Sequence, residues 1–271
     1  MLKRRSLAFS CFFFSFLLSV VLFQGCGTEM PKKELTLFEQ IEVDTKSAEG
    51  LTQEFVAQAS YINLPSAQSF VRKTAKLILS KRPDLKDSSI QIKIHDDSDP
   101  KYRRFFSFPG ITLSVPFSFL KKVEFENELA AALSFELANV LNRFLAKKVE
   151  VQMIAQHPLE LFSKNSVFNL SKSERSLSIK LGSKLIYDAG YDARGMASIF
   201  KRYNVYYLQD GASDLKQNQV GFNVREAQRA NSEFLPQIKP VVRSAEFIQF
   251  KKGITDAHKR DLRGSKERNG S

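Results

Sequence analysis

Glu136 stands in the run Glu128-Leu-Ala-Ala-Ala-Leu-Ser-Phe-Glu136-Leu-Ala-Asn139-Val-Leu, with Phe135 just before it and Asn139 three residues after. Positions 135 and 139 are one helical turn apart, so their side chains share a face beside the carboxylate. With imidazoles at both, in the pattern H-E-x-x-H, such a helix holds one zinc ion while the glutamate activates the bound water. Here one position carries a phenyl ring without a lone pair. The other carries a neutral amide, a poor substitute for imidazole at a borderline-soft cation. Glu136 therefore has two readings: a general base deprived of its metal-bound water, or a polar residue kept for structure inside an old cleft. Glu128, at the start of the same helix, suits the positive end of the helix dipole.

The segment resembles the ELAAVLAHEIGHV signature of the HtpX/BepA-type zinc metallopeptidases, gluzincins of metallopeptidase family forty-eight that include periplasmic proteases working on outer-membrane assembly. Upstream, Phe106-Ser-Phe-Pro-Gly-Ile-Thr-Leu-Ser-Val115 resembles the family's NAFALPGG-plus-strand element, with Arg104 where that family has Asn. Downstream, Gly182-Ser-Lys-Leu-Ile-Tyr-Asp-Ala-Gly-Tyr-Asp-Ala-Arg-Gly-Met196 is similar to its ADRLGLxLLxxAGYDPRGM segment. The resemblance implies an α+β, mainly helical, zincin-like metallopeptidase fold whose small antiparallel sheet walls a substrate cleft. It implies zinc as the family cofactor and Glu136 as the match to the general base. The third ligand, a Glu five residues before the aligned Gly, matches Leu177, and the Asp two residues later matches Ile179. All three ligand positions, Phe135, Asn139 and Leu177, thus lack a donor suited to zinc. Structural zinc sites bind with roughly 10–16 kcal/mol, most of which is lost with such ligands. The chain is read as a degenerate member with no metal, and the family's peptide-bond hydrolysis is not expected of it.

No other residues offer a substitute. The histidines are His95, His157 and His258, none with a ligand-type partner at i, i+4. His95 reads as part of a polar turn after a strand, His157 as a loop residue before Pro158, and His258 as part of a charged tail.

Residues 1–25 read as a lipoprotein signal peptide: Lys3, Arg4 and Arg5, then an apolar run from Leu7 to Phe23, then Leu22-Phe-Gln-Gly-Cys26 as the cleavage box. The alternative is an uncleaved membrane anchor, for which this run lies at the lower edge of spanning length. In the first reading Cys26 is the lipidated first mature residue. Gly27 after it suits outer-membrane sorting, and Cys11 leaves with the leader. No thiol then remains for a disulfide or a nucleophile. The net charge of +12, or +9 without the leader's three cations, suits anionic lipid or polysaccharide. In an exported protein nucleic acid is not an expected partner.

Residues 26–34 read as a tether and 35–250 as the metallopeptidase-like domain. Residues 251–271, with seven Lys/Arg against three Asp/Glu, read as a basic disordered tail. Pro65 opens a helix that ends at Arg82-Pro83. Ile90–Ile94 and Ile111–Val115 alternate with period two, as paired half-buried strands do. Helices are expected over 124–149, 172–187, 193–203 and 224–234, with Gly190 as a left-handed cap, loops over 152–169 and 204–223, and a mobile lid in the first loop.

These readings imply a lipid-anchored pseudopeptidase in the cell envelope, on the outer membrane facing the periplasm. It would serve protein quality control by binding an envelope protein or an unfolded outer-membrane protein. Two alternatives stand beside it: an active metalloendopeptidase with atypical ligands, and a structural lipoprotein that binds anionic lipid or cell-wall polymer.

Overall fold

The computed structural model describes residues 35–85, 88–154, 168–207 and 216–269. The leader, Cys26, the 26–34 tether, His157 and most of the segment expected to form a lid lie outside them. Ten helices and three strands make up the described chain, a mainly helical α+β architecture. They are α1 (Leu37–Ser47), α2 (Glu49–Gln58), α3 (Pro65–Leu79), β1 (Gln91–His95), β2 (Phe106–Phe108), β3 (Thr112–Pro116), α4 (Phe117–Lys122), α5 (Glu126–Leu141), α6 (Phe144–Ile154), α7 (Lys172–Asp188), α8 (Gly195–Tyr207), α9 (Lys216–Ser232) and α10 (Ala245–Asn269).

Everything is arranged around α5, all of whose residues are buried. Its composition explains this: Leu129, Leu133, Leu137, Val140 and the small Ala130, Ala131, Ala132 and Ala138 leave no polar stripe for water. The run Glu126–Glu150 is long and apolar enough to cross a membrane, yet 83% of its most apolar window is buried within this fold. The polar residues of α5 are tied down individually, as burial demands. Glu126 accepts from the Ser244 amide at 2.8 Å and the Tyr191 hydroxyl at 3.1 Å. Glu128 accepts from Ser198, Arg202 and Tyr203 on α8.

The sheet differs from the expected antiparallel one. Its order is β1-β3-β2, with β1 parallel to β3 and β2 antiparallel to it. The long connection between β1 and β3 supplies its own strand, β2, which takes one edge of β3 through the turn Pro109-Gly110-Ile111. That leaves only the far edge to β1. The turn needs left-handed backbone at Gly110 (φ 81°) and at Ile111 (φ 55°). For a β-branched residue this costs about 1–3 kcal/mol.

Helix boundaries also differ, and α9 already runs from Lys216 through residues expected to lie in a loop up to 223. The helix expected over 124–149 breaks at Asn142–Arg143, where Arg143 adopts φ 58°. The left-handed kink is offset by a bidentate pair from the Arg143 guanidinium to Asp44 of α1, at 2.7 and 2.6 Å, and a further bond to Glu150. The expected disordered tail is helical instead: α10 continues to Asn269. Phe247, Phe250 and Ile254 recur at i, i+3, i+7 and are buried. Phe250 stacks on Phe70 of α3 at 4.7 Å, while Lys251 donates to the Leu120 and Lys121 carbonyls at the end of α4. Helix-forming Lys and Arg then let the docked turns propagate. His258 is thus a half-buried helix residue rather than part of a loose tail.

Replacing Ile254 with Ala should lower stability by about 2–5 kcal/mol, the range for truncating a buried aliphatic side chain. Urea unfolding checks this, and an unchanged midpoint would mean that α10 is not docked.

Candidate functional site

Glu136 lies where α5 crosses α7, and the closeness of that crossing depends on Gly182. A Cβ there would lie 2.9 Å from Cε of Met196, 3.1 Å from the Ser134 carbonyl oxygen and 3.2 Å from the Phe135 nitrogen. The start of α7 is fixed by a capping box, in which Ser171 accepts from the Glu174 amide while Glu174 accepts from the Ser171 amide at 2.7 Å. With start and contact point set, residues 175, 178 and 182 fall on the face turned to α5.

The side chains then meet in a short polar chain. Asn139 donates through Nδ2 to Oε2 of Glu136 at 3.1 Å, and Ser178 donates through Oγ to Oδ1 of Asn139 at 2.6 Å. From the sheet, the Ser107 hydroxyl of β2 also hydrogen-bonds Glu136, and the charges of Arg104 and Arg175 act on the same carboxylate. Arg175 is 1% exposed. Burial raises the Glu136 pKa above its ordinary 4.5, and the Ser107 bond, Arg104, the Asn139 bond and Arg175 all pull the other way. Desolvation wins.

The positions singled out in the sequence fare differently. Phe135 is core, meeting Phe200 of α8 edge to face at 5.3 Å. Asn139 is a bridge between Glu136 and α7. Leu177, matched to the third ligand, is 55% exposed and faces away from Glu136. It shares the outer face of α7 with Lys180 and Lys184, a turn and two turns on. The inward residues are Arg175 and Ser178, and Ile179 is buried beside them. Arg175 and Ser178 went unnoticed in the sequence, although the capping box at Ser171 and the small residues at 178 and 182 mark that face.

Arg104 closes the sheet side. Its guanidinium donates to the Phe168 carbonyl at 3.0 Å and to Oδ1 of Asn169 at 3.2 Å, and lies over the Phe106 and Phe168 rings. Phe168 in turn packs with Phe55, Phe106 and Phe108 in a small second core. What remains between Glu136, Asn139, Arg104, Arg175, Ser107 and Phe168 is a cavity of about 30 Å³. That is room for a water molecule or two.

This donor set does not fit zinc. Among the described residues no imidazole or thiolate reaches Glu136, the Asn139 oxygen is engaged by Ser178, and two guanidiniums already act on the carboxylate. Among the described residues no group of three or more His, Cys, Asp or Glu side chains could hold a metal ion. His95 is fully buried at the end of β1, not in a polar turn. Its Nε2 lies 2.8 Å from the Tyr102 carbonyl and so carries the proton, while Nδ1 faces the Ser114 hydroxyl at 2.8 Å. Burial lowers its pKa and favours the neutral ring. Comparison with protein-family models and with curated proteins finds no match for the chain.

Removing the cation beside Glu136 should be costly. Arg175→Met should destabilise by about 1–3 kcal/mol, the cost of leaving buried polar groups without their partner. Adding Glu136→Gln should recover part of that loss, read by a double-mutant cycle in denaturant. The raised pKa fixes a sign as well. Between 4.5 and the higher folded value the unfolded chain sheds a proton that the fold retains, so stability falls as pH rises through that window. Glu136→Gln should abolish that slope, and parallel curves for the two proteins would contradict this assignment.

Proposed function

We propose that this chain is a pseudopeptidase of the cell envelope, related in fold to the HtpX/BepA-type zinc metallopeptidases, that binds polypeptide without cleaving it. The observation that carries the reading is the surroundings of Glu136. The carboxylate matched to a general base is retained at the crossing of two helices, but an amide, a hydroxyl and guanidiniums stand around it. Such a set can hold and orient a carboxylate or a carbonyl. It offers no activated water.

Polypeptide recognition by a former cleft has a physical basis, since a sheet edge beside the site can pair with an extended segment. β2 is an edge strand, and its Ser107 contacts Glu136. The cavity of about 30 Å³ is too small for a side chain, so a peptide enters only when Phe168–Leu170 leave β2. Arg104 is the clasp that holds them there. On this reading the lipid on Cys26 tethers the domain to the outer membrane on its periplasmic side. There the partners would be envelope proteins or unfolded outer-membrane proteins. A protein-quality-control role follows from that location, with no metal and no nucleic acid involved.

The test is a binding experiment with a built-in cleavage control. The full chain should bind a fluorescent peptide from an unfolded outer-membrane protein and leave it, and casein, intact when zinc is supplied. Arg104→Ala should raise peptide affinity roughly tenfold or more if the clasp contributes the ~1.5 kcal/mol at the low end for a hydrogen bond from a charged group. Zinc-stimulated cleavage lost in Glu136→Gln would refute the proposal, as would failure to bind peptide in both proteins.

A further inference from the structure

The segment from Leu235 to Val242 joins α9 to α10 without secondary structure of its own, and it carries much of the exposed aliphatic surface among the described residues. Leu235 is 80% exposed and Ile238 96%, with Val241 and Val242 at 37% and 36%. The segment is held from beneath. Phe234 stacks on Tyr187 at 4.7 Å, Gln237 donates to the Tyr187 carbonyl at 2.9 Å, and Val241 pairs its backbone with Gly190 and Asp192. Pro236 and Pro240 restrict the backbone in between. Two aliphatic side chains are thereby presented as prongs from a fixed base rather than as a passing feature of a loose loop.

From Leu235 to Arg243 the chain has two exposed cations, Lys239 and Arg243, the latter also donating to the Glu124 carbonyl at 2.6 Å, and no carboxylate, while Glu233 just before the segment pairs with Lys180. Projecting aliphatic side chains flanked by cations match the boundary of an anionic bilayer, where the apolar groups enter the acyl region and the cations stay at the headgroups. A protein partner would need a complementary pocket for each prong. A lipid surface needs none. We infer that the Leu235–Val242 segment is a membrane-docking surface, with Leu235 and Ile238 inserting into an anionic lipid leaflet and Lys239 and Arg243 lying against its headgroups. This contact is independent of the N-terminal lipid and of the Glu136 cavity.

A position-specific probe separates this contact from anchoring by the N-terminus. In the full chain with Cys11→Ser and Cys26→Ser, an environment-sensitive fluorophore is attached at Ile238→Cys and, as a control, at Leu177→Cys. Adding vesicles containing phosphatidylglycerol should raise and blue-shift emission severalfold at 238 and leave 177 unchanged, and brominated acyl chains should quench the signal. Neutral phosphatidylcholine vesicles should give a much smaller change. With the probe moved to Val242→Cys, Leu235→Ser together with Ile238→Ser should abolish the response. Equal responses at 238 and 177, or none on anionic vesicles, would overturn the inference. So would a response that appears without vesicles and grows with protein concentration, which marks a second copy as the occupant. A response only to added unfolded polypeptide would overturn it too, by assigning the prongs to a protein.

Discussion

A carboxylate buried away from bulk solvent has to be compensated, and in this protein Glu136 is compensated by side chains. That requirement organises the centre of the fold. The ionised form of a buried acid is disfavoured unless hydrogen-bond donors and positive charge reach it. Ser107 arrives from the sheet, Asn139 from the same helix, and Arg175 from the helix that crosses it. Each depends on a different piece of structure: the hairpin turn at Gly110–Ile111, the wholly buried helix α5, and the close approach allowed by Gly182. The burial still raises the pKa, so the balance is incomplete. The site is polar, and its carboxylate is only partly compensated.

Much of this was legible in the sequence, and the failures are instructive. That 135 and 139 sit one turn apart on a helix beside Glu136 was visible because the helical pattern is strong. The left-handed Gly190 cap and the opening of α3 at Pro65 followed from local backbone chemistry. The facing of α7 was misjudged. A match to a family motif fixed Leu177 by sequence offset, whereas helical geometry and small-residue contacts decide which side chains point inward. The parallel pairing of β1 with β3 was missed because alternation reveals a strand but not its partner. The break at Arg143 was hidden for a different reason: its left-handed backbone is stabilised by Asp44, ninety-nine residues away in sequence. The helical end of the chain was misread because few apolar residues lie beyond Ile254, although Phe247, Phe250 and Ile254 suffice to dock its start.

At the two positions that the sequence pattern compares with zinc ligands, the side chains are packed into the fold: Phe135 fills space against Phe200, and Asn139 bridges two helices. A guanidinium is a permanent cation of fixed geometry, unlike an exchangeable ion. A centre held by Arg175 is therefore assembled as soon as the chain folds. On the proposed reading, the clasp at Arg104 and the prongs at 235 and 238 are the surface features that decide what is bound and where.

The most direct test compares zinc content in two re-ligated proteins, Phe135→His/Asn139→His/Arg175→Glu and Phe135→His/Asn139→His/Leu177→Glu, each purified with zinc and assayed for metal per chain. If the inward face of α7 carries Arg175 in place of a ligand, the first protein retains about one zinc per chain and the second far less. Zinc held by the second and not the first, or one zinc in the unmodified chain, would contradict a centre whose cation is a side chain.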